Sequence, residues 1–221
     1  MIQEELERIR KELPEGVRLV AISKYHPASA IEEAYGCGQR IFGENHVQEL
    51  MEKEAVLPKD IEWHFTGHLQ TNKVKYIAPF IQLIHAVDTE RLLREIDKQG
   101  KKNGRHIPCL LQLHIAKEQT KFGFTPDELY AFLQTGVHKT LENAEICGLM
   151  CMATFTDDIS QIDAEFKLAH DIFFQTRENF FHDAPSFREL SMGMSEDYPV
   201  ALRHGSTMVR IGTRIFGERV Y

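Results

Sequence analysis

Eight short apolar runs recur along the chain, alternating with stretches of helical spacing. They fall at Arg18–Ile22, Arg40–Phe42, Glu62–Phe65, Leu83–Val87, Cys109–Ile115, Glu145–Cys151, Glu189–Met192 and Met208–Ile211. Strands that are apolar along their length imply a parallel sheet covered on both faces. Between them, Ile159, Ile162, Phe166, Ala169 and Phe173 make one apolar helical face at steps of three and four. Thr89–Lys102 reads as another helix, with charges on its outer side. Pro27 and Pro126 stand where helices begin, and Gly100 and Gly104 where one ends. Eight such units close naturally into an α/β fold, a single (β/α)8 TIM barrel with short loops. A doubly wound open sheet is the alternative, but its usual count is about five or six strands. No linker or low-complexity stretch divides the 221 residues, so one domain over 1–221 is expected.

Composition narrows the function classes. Lys plus Arg number 26 against 33 Asp plus Glu, a net charge of −7, and no basic run exceeds Lys101-Lys102. Nothing there draws the chain to a nucleic-acid backbone. No apolar stretch approaches the roughly 18 residues of a membrane span. The opening MIQEELERIRKELPEG reads as a charged helix and not a signal peptide. Cys37, Cys109, Cys147 and Cys151 are too few and scattered for a disulfide framework. A reduced, cytoplasmic protein is expected.

In a barrel of this kind the chemistry sits at the C-terminal strand ends. Lys24 closes the first run within Ser23-Lys24-Tyr25-His26-Pro27. Burial there would lower its pKa and favour addition to a carbonyl; alternatively, Lys24 snorkels to the surface. Gly43-Glu44-Asn45-His46 follows the second run, with Asn45 able to act as a helix N-cap. His64 and His68 have metal-like spacing, but no third ligand is suitably placed and Gly67 argues against a helix, so no zinc site is expected. Cys147 and Cys151 read as buried structural thiols.

The last quarter carries small, hydroxyl-rich turns: Ser191-Met192-Gly193-Met194-Ser195, Gly205-Ser206-Thr207 and Arg210-Ile211-Gly212-Thr213. Small residues let backbone N–H groups approach an anion, and hydroxyls add donors. Barrel enzymes often hold a phosphate at this pair of loops. Ordinary turn chemistry would use the same residues. A lysine opposite a phosphate cup suits a phosphorylated aldehyde, either pyridoxal 5′-phosphate (PLP) or a sugar phosphate.

Several segments, in this order along nearly the whole chain, resemble the pyridoxal phosphate homeostasis protein family. They are Val20–Lys24, Phe42–Asn45, Trp63–Lys73, Leu190–Ser195, Gly205–Thr213 and Ile215–Tyr221. The resemblance implies a PLP-binding barrel like the N-terminal domain of alanine racemase. It implies that Lys24 forms the internal aldimine and that Arg210 faces the pyridine nitrogen. Ser206 and Thr207, with the backbone at Gly212 and Thr213, match its phosphate site. Ser195 lies in the other matching turn, and Asn45 and Met192 match positions near the cofactor. Two positions depart from the pattern: Tyr25 stands where the family usually has threonine, and His46 where it has tyrosine.

The expected role is PLP carriage within vitamin B6 and amino-acid homeostasis, without strong catalysis. An arginine beside the ring nitrogen keeps it unprotonated and weakens the ring as an electron sink. A racemase also needs acid–base groups on both faces of the substrate carbon. In racemases of this fold an added domain supplies one of them, and the chain ends at Tyr221 with no room for it. PLP-dependent apo-enzymes are the candidate recipients, and a monomer is expected. The alternatives are a PLP-dependent racemase-like enzyme and a cofactor-free Schiff-base aldolase.

Overall fold

The computed structural model describes residues 1–117 and 122–218. Arg219–Tyr221, the end of the last family-like segment, lie outside the described residues. Eight parallel strands close into a barrel in strict chain order. They are β1 Arg18–Ile22, β2 Ile41–Glu44, β3 Glu62–Phe65, β4 Leu83–Val87, β5 Ile107–Leu113, β6 Ala144–Cys151, β7 Glu189–Ser191 and β8 Met208–Ile211. Closure is made by β8 against β1, with Arg18 opposite Met208 and Ala21 opposite Ile211. The helices are α1 Ile2–Glu12, α2 Ala28–Gly36, α3 Val47–Val56, α4 Val74–Ile77, α5 Glu90–Asn103, α6 Pro126–Gln134, α7 Ile159–Phe180, α8 Tyr198–Arg203 and α9 Thr213–Phe216. No helix among the described residues is long and apolar enough to cross a membrane.

Strand parity separates two cores. Leu19, Ala21, Phe42, Trp63, Phe65, Leu190, Val209 and Ile211 join the large cluster between strands and helices. Val20, Leu83, Leu110, Met150 and Met208 form a smaller cluster, joined by Ile22 and Ile41. The small cluster is the barrel interior. Parity also sends His64, Ser191 and Arg210 inward, since their chain neighbours pack outward.

Several boundaries differ from expectation. β2 starts and ends later, taking in Gly43 and Glu44, because these residues pair with His64 and Phe65 of β3, and Glu44 is fully buried there. The N-cap position of α3 is His46 rather than Asn45, with no side-chain capping bond. β5 begins at Ile107, so Pro108 lies near the strand start, where a missing N–H is tolerated. Gly100 lies inside α5, and only Gly104 ends it, in the left-handed conformation. The reason is packing: a Cβ at Gly100 would meet the Arg105 carbonyl oxygen at 2.8 Å. Ile159, at the N-terminus of α7, is exposed, while Ile162, Phe166, Ala169 and Phe173 are buried as the periodicity predicts.

Candidate functional site

The loops after β7, β8, β1 and β2 adjoin one another around the barrel, because those four strands are consecutive in the closed sheet. They carry Ser195, Thr213, Lys24 and Asn45, four residues singled out from the sequence. Lys24 is half-buried, one residue beyond Ser23, which turns outward to the helix layer. There the Ser23 hydroxyl donates to Glu44 Oε1 at 2.6 Å. Lys53, from α3, donates to the same oxygen at 2.7 Å, to the Ser23 carbonyl at 2.8 Å and to Glu49 Oε1 at 2.7 Å. Glu49 Oε1 also accepts the Tyr25 backbone N–H at 2.6 Å. Burial pushes the Glu44 carboxyl up to about 7, although Lys53 and Ser23 both pull it down. Among the described residues, Glu44 Oε2 finds no hydrogen-bond partner. The two residues that depart from the family pattern meet each other: Tyr25 Oη lies 2.8 Å from His46 Nε2.

Arg210 enters the barrel from β8 and is buried. Its Nη1 donates to Ser191 Oγ at 2.7 Å and its Nη2 to the Cys151 carbonyl at 2.9 Å. Ser191 Oγ lies 3.0 Å from His85 Nδ1, and His85 Nε2 lies 3.0 Å from His64 Nδ1. A guanidinium can only donate. The Ser191 hydrogen can therefore pass to His85 Nδ1, leaving His85 Nε2–H to donate to His64. Burial lowers the pKa of both histidines, that of His64 to about 3, and nearby arginine charge adds to the effect. Both rings are neutral at pH 7. Burial also lowers the Arg210 pKa, while Cys151 and Asp197 act in the other direction.

The small turns divide into two kinds. Thr213 Oγ1 donates to Ser195 Oγ at 3.1 Å, joining the loops after β7 and β8 at their C-terminal ends. Ser206 and Thr207 precede β8, at the opposite end of that strand from Gly212 and Thr213. The Thr207 carbonyl accepts the Arg18 N–H at the start of β1. Its hydroxyl donates to Glu189 Oε2 at 2.9 Å and accepts the Leu190 N–H at 2.8 Å. Ser206 is buried, its hydroxyl donating to the Met192 carbonyl at 2.7 Å. Both hydroxyls are thus engaged by the protein, and the structure does not bring Ser206 and Thr207 together with Ser195 and Thr213. Met192 follows β7, but its side chain is fully buried in the large core. Asn45 Oδ1 accepts from the Thr66 hydroxyl at 2.8 Å.

A cleft of about 490 Å³ opens on the β2–β3 side, lined by Asn45, His46, His68, Gln70, Lys73 and Tyr76 among others. His68 faces Asp88 at 2.9 Å and stacks on Phe122, while His64 lies inside the barrel, so their spacing brings no shared ligand together. Burial raises the Cys147 and Cys151 thiols to about 12, which suits inert structural residues.

Sequence reasoning quoted Ser191 and Glu44 in its motifs without giving them a role, and it missed His85, Glu49 and Lys53. Parity was the available signal for Ser191. His85 sits within an apolar run, and the Lys53 contacts with Ser23 and Glu44 cross 30 and 9 residues of chain, leaving no local pattern.

The alanine racemase N-terminal domain family matches residues 1–220. The pyridoxal phosphate homeostasis protein of Aquifex aeolicus is 37% identical over 223 residues, covering 98% of this chain and 96% of its own. The human protein of the same name is 38% identical over 232 residues, covering 100% of this chain and 83% of its own. The structure of PipY from Synechococcus elongatus with PLP bound is 38% identical, with a TM-score of 0.87, covering 98% of this chain and 100% of that one. With the barrel and the full-length likeness in agreement, this chain belongs to the pyridoxal phosphate homeostasis protein family.

Proposed function

We propose that the chain binds PLP at the barrel mouth and acts in PLP homeostasis as a carrier rather than as an enzyme. The observation that carries this reading is the grouping of Lys24, Asn45, Ser195 and Thr213 on four consecutive strand ends, above the inward-facing Arg210. The donor set suits PLP. Ser195 and Thr213 bring two hydroxyls, each able to donate to an anion, within 3.1 Å of each other. Gly212 lets the chain after β8 pack closely against the end of β1, since a Cβ there would meet the Ile22 carbonyl oxygen at 3.0 Å. When bound, PLP supplies an aldehyde that a lysine amine takes up as an imine with loss of water, and a ring whose electron demand depends on its nitrogen.

Within that site Lys24 is the reacting amine. Ser195, Gly212 and Thr213 hold the phosphate, and Asn45 borders the ring on the β2 side. Arg210 presents a fixed positive charge to the ring nitrogen and disfavours a proton there. Its guanidinium is held by Ser191 and the Cys151 carbonyl, so the charge cannot swing away. This arrangement stores an aldehyde without strongly activating an α-carbon. The chain is read as one domain over 1–221 and as a monomer, with PLP-dependent apo-enzymes as recipients.

The test is a PLP absorbance titration of the purified protein and of Lys24→Ala, followed by an amino-acid screen for solvent deuterium at the α-carbon. The reading expects a visible band lost with Lys24 and no turnover. A band undiminished in Lys24→Ala would overturn the site, and deuterium incorporation with turnover would overturn the carrier role.

A further inference from the structure

We infer that Lys53 and Glu49, backed by Glu44, are positioning residues that fix the main chain on both sides of Lys24 and so aim its amine. The inference rests on Lys24 being the PLP-bearing lysine, and it is carried by separate observations. Lys53 grips the carbonyl of Ser23, the residue before Lys24. Glu49 grips the N–H of Tyr25, the residue after it. Lys53 and Glu49 are joined to each other at 2.7 Å, one turn apart on α3. The peptide groups flanking Lys24 are therefore held by a single rigid element.

Backbone geometry supports a built device. Tyr25 has φ of 66°, and it is the one non-glycine residue with positive φ among the described residues. That conformation persists only where the surroundings enforce it. Here the enforcing groups are Glu49, on the Tyr25 amide, and His46, on the Tyr25 hydroxyl. All three ties run from the Lys24 loop to the β2–α3 segment.

The cluster is also costly as packing alone. Glu44 and Lys53 are almost wholly buried. An apolar pair of similar volume would hold the same space without desolvating two charges. The charges supply direction instead. Lys53 donates its three N–H bonds to three different acceptors, and an ammonium so engaged has no lone pair to offer an aldehyde. Two lysines thus stand near one mouth, one built to react and one built to hold.

The experiment compares Lys53→Met, Glu49→Ala and Glu49→Gln with Lys24→Ala and the unaltered protein. Three quantities are read: hydrogen exchange of the Tyr25 amide, labelling rate of the Lys24 amine by an acylating ester in PLP-free protein, and PLP affinity by absorbance. Thermal midpoints select the folded variants. Glu49 is partly exposed, so Glu49→Ala keeps the test open if Lys53→Met does not fold. The expected result for Glu49→Ala is faster Tyr25 exchange, a Lys24 labelling rate changed several-fold and PLP affinity lowered about tenfold. Glu49→Gln, whose amide oxygen still accepts the Tyr25 N–H, restores much of all three. Unchanged labelling and affinity in folded Glu49→Ala or Lys53→Met would overturn the positioning role. If Lys24→Ala itself binds PLP normally, the assignment of Lys24 fails instead, and the two failures are told apart.

Discussion

The turn Gly205-Ser206-Thr207 and the pair Ser195 and Thr213 look alike in sequence and differ in what they face. Both are small and rich in hydroxyls. One precedes β8, and its hydroxyls close hydrogen bonds to Met192, Glu189 and Leu190. The other follows β7 and β8, and its hydroxyls meet only each other among the described contacts. Direction along a parallel strand separates them. In a closed parallel barrel every loop before a strand is at one end and every loop after it at the other. Similar turn chemistry therefore serves stability at one end and, in the proposed site, phosphate binding at the other.

Breaking the mouth loop itself should have the largest effect. Gly193, in the loop that carries Ser195, has φ of 94°, and a Cβ there would meet Ala201 Cβ at 2.7 Å. Gly193→Ala combines backbone strain with overpacking and should cost about 3 kcal/mol in denaturant unfolding. Next, Ser195→Ala with Thr213→Val should weaken PLP binding by about tenfold or more while leaving the thermal midpoint nearly unchanged. The opposite pattern is expected at the other turn. Ser206→Ala should lower stability by about 1 kcal/mol, because buried carbonyls lose their donor, and leave PLP affinity alone. A Ser206→Ala variant that loses affinity at full stability would merge the two turns into one site.

The smallest effect sharpens the contrast through pH. The Glu44 carboxyl is raised to about 7, so the folded state holds a proton that the unfolded chain releases near the ordinary 4.5. A raised carboxyl favours folding at low pH, and its contribution declines as pH rises from about 4.5 to about 7. Stability of the unaltered protein relative to Glu44→Gln should therefore fall across that window and level off above it. Urea unfolding at three pH values checks the slope. The buried histidines give the reverse sign below pH 6.5, and comparing the two proteins cancels their shared contribution.

Much of the barrel was legible because parallel strands buried on both faces read as apolar runs. β1, β3, β4 and β8 match the expected bounds. β2 did not, since Gly43 and Glu44 read as loop chemistry, and a buried carboxylate is recognised only once Lys53 is beside it. The mouth was legible at Lys24, Asn45, Ser195, Gly212 and Thr213 as residues following strands. Residue type alone groups Ser206 and Thr207 with the mouth turns, and it does not disclose that they lie before β8, at its opposite end from Thr213. The interior chain from Arg210 through Ser191 and His85 to His64 joins four strands, and no single segment could disclose it.

The central claim is that Lys24, and not its buried neighbour Lys53, is the amine that takes PLP. Borohydride reduction of the PLP-loaded protein, followed by digestion and mass spectrometry, locates the pyridoxyl group directly. The account predicts a label on Lys24 and none on Lys53. A label confined to another lysine, with Lys24 recovered unmodified, would contradict it.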